Sequence, residues 1–372
     1  VDCTGCGSRY DANFTSCPHC GRANSSISGR KSSAAKLSAA ALGIIAVIIS
    51  LVFLAPAIPT MLNLEDAPPV ISILPPFRQE PKVVPQEELV AHALELINKD
   101  RVAFGFEPVK LSSNAAAQVH AEDVFRNKQI SHWMSNGEKP YMTYSRYGGL
   151  GSVGQNVAIA GFNKTQYDQC IKNTFYDCEK IDPIATIEEL QYEMMYNDKE
   201  CCDDGHRNNI LNSYRTDVSI GIVYDEYYLA VVQNFENNYG IGIGVTGGQV
   251  QISGELAGSV EHVAVYYDPI PTPEVYEENK KMLSYSTGEL VAVVAKPLPP
   301  GFFYEQPEDY RLLVARQWDG EGKSIDISFD LARTVEADGV YTITIISKPA
   351  GSDETFEAAS YSVVVDSESE VQ

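Results

Sequence analysis

A chain of 372 residues with 44% hydrophobic content is long enough for two or three domains with buried cores. Its formal charge of −22 is uneven: residues 1–36 carry five Lys or Arg against two Asp, a balance of +3, which leaves −25 on the remainder. So acidic a body excludes nucleic acid as a partner, because phosphate binding needs clustered Lys and Arg; it reads as a well-solvated surface.

The first element is a pair of knuckles, Cys3-Thr4-Gly5-Cys6 and Cys17-Pro18-His19-Cys20. Each lets two thiolates face one tetrahedral cation, and soft sulfur ligands predict a structural zinc. Residues 1–25 are similar to the zinc-ribbon heads of prokaryotic membrane proteins. From Leu37 to Leu64 no residue is charged, and the core at 37–58 is 22 residues. As a helix that is about 33 Å, enough to cross a hydrocarbon core of roughly 30 Å. Arg30, Lys31 and Lys36 precede it and Glu65 and Asp66 follow it. The expectation is a single-pass membrane protein with a cytoplasmic N-terminus and everything downstream extracellular. Six prolines in 65–85 predict an extended stalk.

Residues 86–240 carry the chemistry-bearing stretches. Leu89, Ala93, Leu96 and Ile97 predict an amphipathic helix from Gln86 to Phe104, and a second helix is expected over about 113–128. Gly148–Gly151 and Lys139-Pro140-Tyr141 read as loop. Thr186 to Tyr196 reads as helix, with another starting near His206. Alternation at Val218–Tyr224 and Tyr228–Val232 predicts a hairpin. His132 and His206, 74 positions apart, each sit in a short polar knot, Ser131-His132-Trp133 and Gly205-His206-Arg207-Asn208-Asn209. Two imidazoles are half of a divalent-ion shell. His120 and His92 lie within helices and read as structural or exposed.

The order of Glu95–Arg101, Ser131-His132, Pro140-Tyr141, Gly154-Gln155-Asn156-Val157-Ala158 and Gly205–Leu211 resembles the CAP superfamily, named for cysteine-rich secretory proteins, antigen 5 and pathogenesis-related 1 proteins. The resemblance is to its prokaryotic, particularly archaeal, members and spans about 86–240. It implies an α-β-α sandwich with an open cleft of two His and two acidic side chains: His132, His206, the position held by Gln155, and Glu193, with Glu189 one turn earlier as the alternative. It also implies that Arg207 and Asn209 fix the loop around His206. Gln155 stands where the family has glutamate. An amide can hydrogen-bond but cannot act as a general base at neutral pH. Asp203 and Asp204 read as turn or N-cap groups, and Tyr141, Tyr144 and Tyr147 as rim or packing residues.

Cys170, Cys178, Cys201 and Cys202 are expected to form disulfides. Cys201 and Cys202 would each bridge to Cys170 or Cys178, with a metal site as the alternative. Asn163-Lys164-Thr165 is a glycosylation sequon. After Ile243 the pattern changes to short β-type runs at 263–267, 290–295, 311–315, 325–329, 340–346 and 361–365, which predicts an immunoglobulin-like β-sandwich over 245–366 with Trp318 as a core anchor. The fold class expected is therefore α+β.

The altered Gln155 and the lack of a Gly-x-Ser-x-Gly or His-Glu-x-x-His motif favour a non-enzymatic surface protein. Its cleft would bind a ligand, lipid or partner, with a divalent metal on His132 and His206. The competing reading is a metal-dependent hydrolase or peptidase in the same cleft.

Overall fold

The computed structural model describes residues 83–173 and 178–366, without the side chains of 321 and 322. The zinc-ribbon head, the expected span at 37–58 and most of the stalk lie outside the described residues. Among the described residues no helix is long and apolar enough to cross a membrane.

The chain starts with α1 (Gln86–Ala103), β1 (Lys110–Leu111) and α2 (Ala116–Asn127). Then come α3 (Pro140–Arg146), β2 (Ser152–Gly161), α4 (Lys164–Ile171), α5 (Pro183–Tyr196), α6 (Asp198–Cys202) and α7 (Gly205–Ile210). The hairpin of β3 (Asp217–Tyr224) and β4 (Tyr228–Asn237) completes a four-stranded sheet of order β1-β3-β4-β2. Helices cover both faces. Leu89, Ala93 and Ile97 of α1 and Ile187, Met194 and Met195 of α5 pack on Val218, Ile220, Leu229, Val231 and Phe235. Ala117, Ala121 and Val124 of α2 pack on Val157, Tyr228, Ala230 and Val232. The expected α-β-α layering is present, and every residue of β4 is buried.

Two elements differ from the sequence reading. Pro140 opens a helix rather than a loop, because a proline at the first helical position gives up only an N–H that has no intrahelical partner. The Gly154–Ala158 stretch is the middle of an edge strand, β2, whose polar Gln155 and Asn156 mask the apolar alternation. Close approach also needs Gly221. A Cβ there would sit 2.2 Å from the Ala117 carbonyl oxygen, so α2 lies directly on β3.

Arg101 is fully buried at the end of α1. Its guanidinium donates to the carbonyls of Glu107 (2.8 Å), Ile210 (2.5 Å) and Asn212 (3.0 Å), tying α1 to the loop after α7. Burial lowers its pKa from the usual guanidinium value.

The C-terminal part contains β5 (Gly242–Thr246), β6 (Gln249–Asp268), α8 (Pro273–Asn279), β7 (Glu289–Ala295), β8 (Arg311–Val314), β9 (Gln317–Asp319), β10 (Glu321–Asp330), β11 (Gly339–Pro349) and β12 (Phe356–Val365). The expected sandwich of two separate sheets takes another form. All eight strands join in one network through β6. At 20 residues, β6 is long enough to pair first with β5 and β10 and then with β7 and β11. Register shifts in β10 and β11 fall opposite its middle, where such bulges bend a strand. Ile252, Ile327 and Phe329 from one half share a core with Val263, Val294 and Ile343 from the other, and Trp318 packs partly buried against it.

All of these residues belong to one compact unit. Asp268, at the end of β6, accepts from Lys139 Nζ (2.7 Å) and from the Tyr141 hydroxyl (2.6 Å). Asn237 Nδ2 donates to the Glu357 carbonyl (2.6 Å), and Tyr214 stacks on Phe356 at 4.2 Å. The Asp268 carboxylate is almost fully buried and Lys139 largely so. Breaking such a pair leaves an uncompensated buried charge, so Asp268→Ala is expected to cost about 3–5 kcal/mol of stability, read by urea denaturation. A loss below about 1 kcal/mol, the range of surface pairs, would refute this role.

Candidate functional site

The site grows from the edge where β2 meets α7 and the loop after α2. Neighbouring β2 residues point to opposite faces. Gln155 turns toward α2, and Asn156 toward α5 and α7. Asn156 Nδ2 donates to the His206 carbonyl (3.2 Å) and to Gln233 Oε1 (3.3 Å), and Asn209 Nδ2 donates back to Asn156 Oδ1 (2.9 Å). These bonds seat α7, and His206 with it, against β2. Gly154 leaves room for them: a Cβ there would lie 2.4 Å from Asn209 Oδ1.

Gln155 is buried and every one of its side-chain polar atoms is engaged. Its Nε2 donates to His120 Nδ1 (2.9 Å) and to Asn234 Oδ1 (3.1 Å), and its Oε1 faces His132 Nδ1 at 3.1 Å. The network assigns the tautomers. His120 Nδ1 accepts, so the His120 proton sits on Nε2 and is donated to the Ser131 carbonyl at 3.0 Å. Burial, and then the nearby His132, hold His120 down to about 4; Asp123 and the Ser131 carbonyl act against them. Burial also lowers the pKa of His132, against the raising effect of Gln155 and the Leu283 backbone. Neutral His132 therefore has one N–H facing two acceptors.

His206 has a different partner. Its Nδ1 lies 2.6 Å from Asp198 Oδ1, while Asp198 Oδ2 accepts from the backbone N–H of His206 (2.8 Å) and of Arg207 (3.1 Å). Asp198 thus caps the start of α7 and orients its histidine at once. Glu193 is exposed and binds Asn197 Nδ2 at 2.8 Å, so the acidic neighbour of His206 is Asp198 and not Glu193 or Glu189. The physical reason is the break at Asn197, which ends α5 and starts α6, so helical spacing cannot be carried across it. Asp203 and Asp204 form a left-handed turn without a side-chain cap. Arg207 donates to the Met195 carbonyl (3.2 Å) and lies over the Phe104 ring.

Both histidines line one cavity of about 240 Å³, with Val157, Cys202, Met282 and Leu283. An adjoining cavity of about 290 Å³ is lined by His132, Gln155, Cys202, His206, Asn209 and Tyr285. Residues 280–288, between α8 and β7, form a strap across this cleft. The Tyr285 ring lies 5.1 Å from that of His132 and 6.2 Å from that of Tyr141. Lys139 Nζ donates to the Ser286 carbonyl at 3.0 Å. Nothing in the sequence pattern marks this segment, since its contacts lie more than a hundred residues away. A larger cavity, about 470 Å³, lies in the β part beside Tyr267, Arg311, Glu336 and Tyr341, and its lining includes no histidine or cysteine.

Cys170 pairs with Cys178, and Cys201 with Cys202, so the expected cross-bridging is corrected. Cys178 returns to within 5.7 Å of Cys170 (Cα to Cα) over eight positions, which closes that bridge locally and leaves the adjacent pair to each other. Asn163 caps α4 through Gln166 N–H (3.1 Å). His92 sits 3.0 Å from Glu188 on the α1–α5 face. Tyr141 and Tyr144 are buried, and the Tyr144 hydroxyl donates to Glu236 (2.9 Å).

No family model matches the chain, and neither does any curated protein. Among solved structures it is similar to an extracellular protein containing an SCP domain from Bacillus anthracis, at 19% identity and a TM-score of 0.28. The match covers 42% of this chain and 45% of that one, so the chain spans less than half of that protein's length. A likeness this low carries no functional argument, and the site is read from its own geometry.

His120 makes stability pH-dependent with a definite sign. Its folded value near 4 lies below its ordinary value near 6.5, so between these pH values the unfolded chain binds the extra proton. Stability is full above about pH 6.5 and falls as pH drops toward 4, by about 3 kcal/mol in all. His120→Gln is expected to lose this part of the acid sensitivity. Urea midpoints of both proteins at pH 7 and pH 4.5 check it, and equal drops in the two would refute it.

Proposed function

We propose that this is a membrane-tethered surface protein whose two-histidine cleft binds a ligand, lipid or partner protein without turning it over. Cys3, Cys6, Cys17 and Cys20 hold a structural zinc on the cytoplasmic side of a single span at 37–58, and residues 86–366 face the exterior. One observation carries the non-enzymatic reading. The group beside His132 is the amide of Gln155, and its donors and acceptor are committed to His120, Asn234 and His132. A general base belongs at such a position in a hydrolytic cleft, and an amide cannot take a proton from water at neutral pH.

The donor set fits a divalent ion. His132 and His206 line the same cavity, and a histidine whose other ring nitrogen meets a carboxylate, as His206 meets Asp198, is the usual arrangement in metal sites. Such an ion would be held by His132 and His206 and would supply positive charge for an anionic group of the ligand. The strap limits access: an occupant must share the cleft with Leu283 and Tyr285 or displace them.

In the full-length protein, zinc titration followed by calorimetry is expected to show one site beyond the knuckle zinc. His132→Ala is expected to weaken it at least tenfold, while peptide and ester substrates show no zinc-dependent hydrolysis. Zinc-dependent turnover lost on His132→Ala would overturn the binding reading in favour of a hydrolase.

A further inference from the structure

Asp198, Cys201, Cys202 and His206 each offer a ligand atom, and these atoms all lie within 4.8 Å of one another. The cluster is tighter on one side. Cys201 Sγ is 3.6 Å from Asp198 Oδ1, which is itself 2.6 Å from His206 Nδ1. It is also positioned rather than accidental. Asp198 is buried and pinned by the N–H groups of His206 and Arg207. Cys202 lines both cavities of the cleft, so the cluster is reachable. Two thiolates, one imidazole and one carboxylate form a four-coordinate donor set that zinc and other soft divalent ions prefer. On a tetrahedron with zinc-like bond lengths such ligands lie about 3.3–3.8 Å apart, so closing the set needs the two sulfurs and the His206–Asp198 pair to spread while the wider pairs draw in by up to about 1 Å.

As the chain stands, the two sulfurs are bonded to each other and cannot both ligate. We propose that Cys201 and Cys202 form a redox-gated metal site with His206 Nδ1 and Asp198 Oδ1, closed as a disulfide and opened by reduction. The opening step needs an external dithiol. One of its thiolates attacks a sulfur of the Cys201–Cys202 bond, and its second thiol resolves the mixed disulfide. The reductant leaves as a disulfide, and Cys201 and Cys202 each gain a proton. A divalent ion then displaces both thiol protons, and the proton between His206 Nδ1 and Asp198 moves to His206 Nε2, which leaves Nδ1 free to ligate as a neutral imidazole. The thiolates, not the thiols, are the ligands.

This site is distinct from the one proposed on His132 and His206. It needs no contribution from His132, and it exists only in the reduced chain. Only His206 is common to both.

The test uses the full-length protein and cadmium, whose bonds to thiolate give an ultraviolet charge-transfer band. The N-terminal knuckles contribute to that band, so the reading is the difference between the wild type and a Cys201→Ser/Cys202→Ser variant. Before reduction the difference is expected to be nil. After treatment with a dithiol, and removal of the excess, it is expected to correspond to one cadmium on two thiolates. Asp198→Asn is expected to weaken this site at least tenfold, and His132→Ala to leave it unchanged. Circular dichroism of each variant verifies that it is folded. No difference band in a folded chain whose two additional thiols are shown free by thiol titration would overturn the proposal. So would a band that needs His132, because the ion would then belong to the other site. Absence of any zinc site beyond the knuckles in the oxidised protein would count against the His132–His206 reading and not against this one.

Discussion

The cleft depends on one buried amide. Gln155 has two N–H groups and one oxygen in reach of three partners, and it satisfies all three with the only orientation that fits. A carboxylate of the same size could not donate to His120 Nδ1. His120 would then have to move its proton to Nδ1 and give up the Ser131 carbonyl, or else carry a charge in a fully buried place. Buried charges and unpaired buried donors are costly, so the pocket around position 155 is matched to an amide as a whole. Ser131 adjoins His132, so the same bond that fixes His120 also holds the start of the loop carrying one cleft histidine.

The layering explains why such a network lies inside the sheet. Helices on both faces leave β4 buried throughout, so its polar residues must find partners within the protein. Asn234 pairs with Gln155 on the α2 side. On the other side, Gln233 donates to Gln191 of α5 (3.1 Å), which donates to Asp100 of α1 (2.9 Å). The β part closes the arrangement from outside through Asp268, which holds Lys139 and Tyr141 at the root of α3. The strap leaves from the same region and lays Tyr285 beside His132.

The legible parts of the sequence were those with local causes. Apolar spacing marks α1, α2, α5 and the β3–β4 hairpin, and polar knots in an apolar pattern mark His132 and His206. The two histidines do meet in one cavity. Asp198 was not legible, because a helix face extrapolated through α5 points to Glu193, and only the break at Asn197 swings Asp198 under α7. A signal existed in Asn197-Asp198, two residues that favour helix ends, directly after an apolar run. The strap had no such signal. Its composition is that of any linker, and its role comes from contacts across the sheet. The length of β6 was hidden in the same way: Gly254 and Gly258 interrupt its pattern, yet its ladder continues through them.

The two histidines are not equivalent, and this asymmetry shapes what the cleft can do. His132 is held by a neutral amide, with a pKa lowered chiefly by burial. Near neutral pH it is therefore an uncharged ring able to donate or accept one hydrogen bond or to bind an ion. His206 is held by a buried carboxylate whose other oxygen is spent on the α7 backbone, so the ring is oriented and its partner cannot turn away. An acid–base pair that shuttles a proton would need one ring free to change state without breaking the frame around it. Protonating His132 places a charge in a buried site beside His206, and removing the proton between His206 and Asp198 unmakes a bond at the start of α7. Both changes cost structure. On the binding reading proposed above, the arrangement would hold an electrophilic ion or a polar group still rather than cycle protons through each turnover.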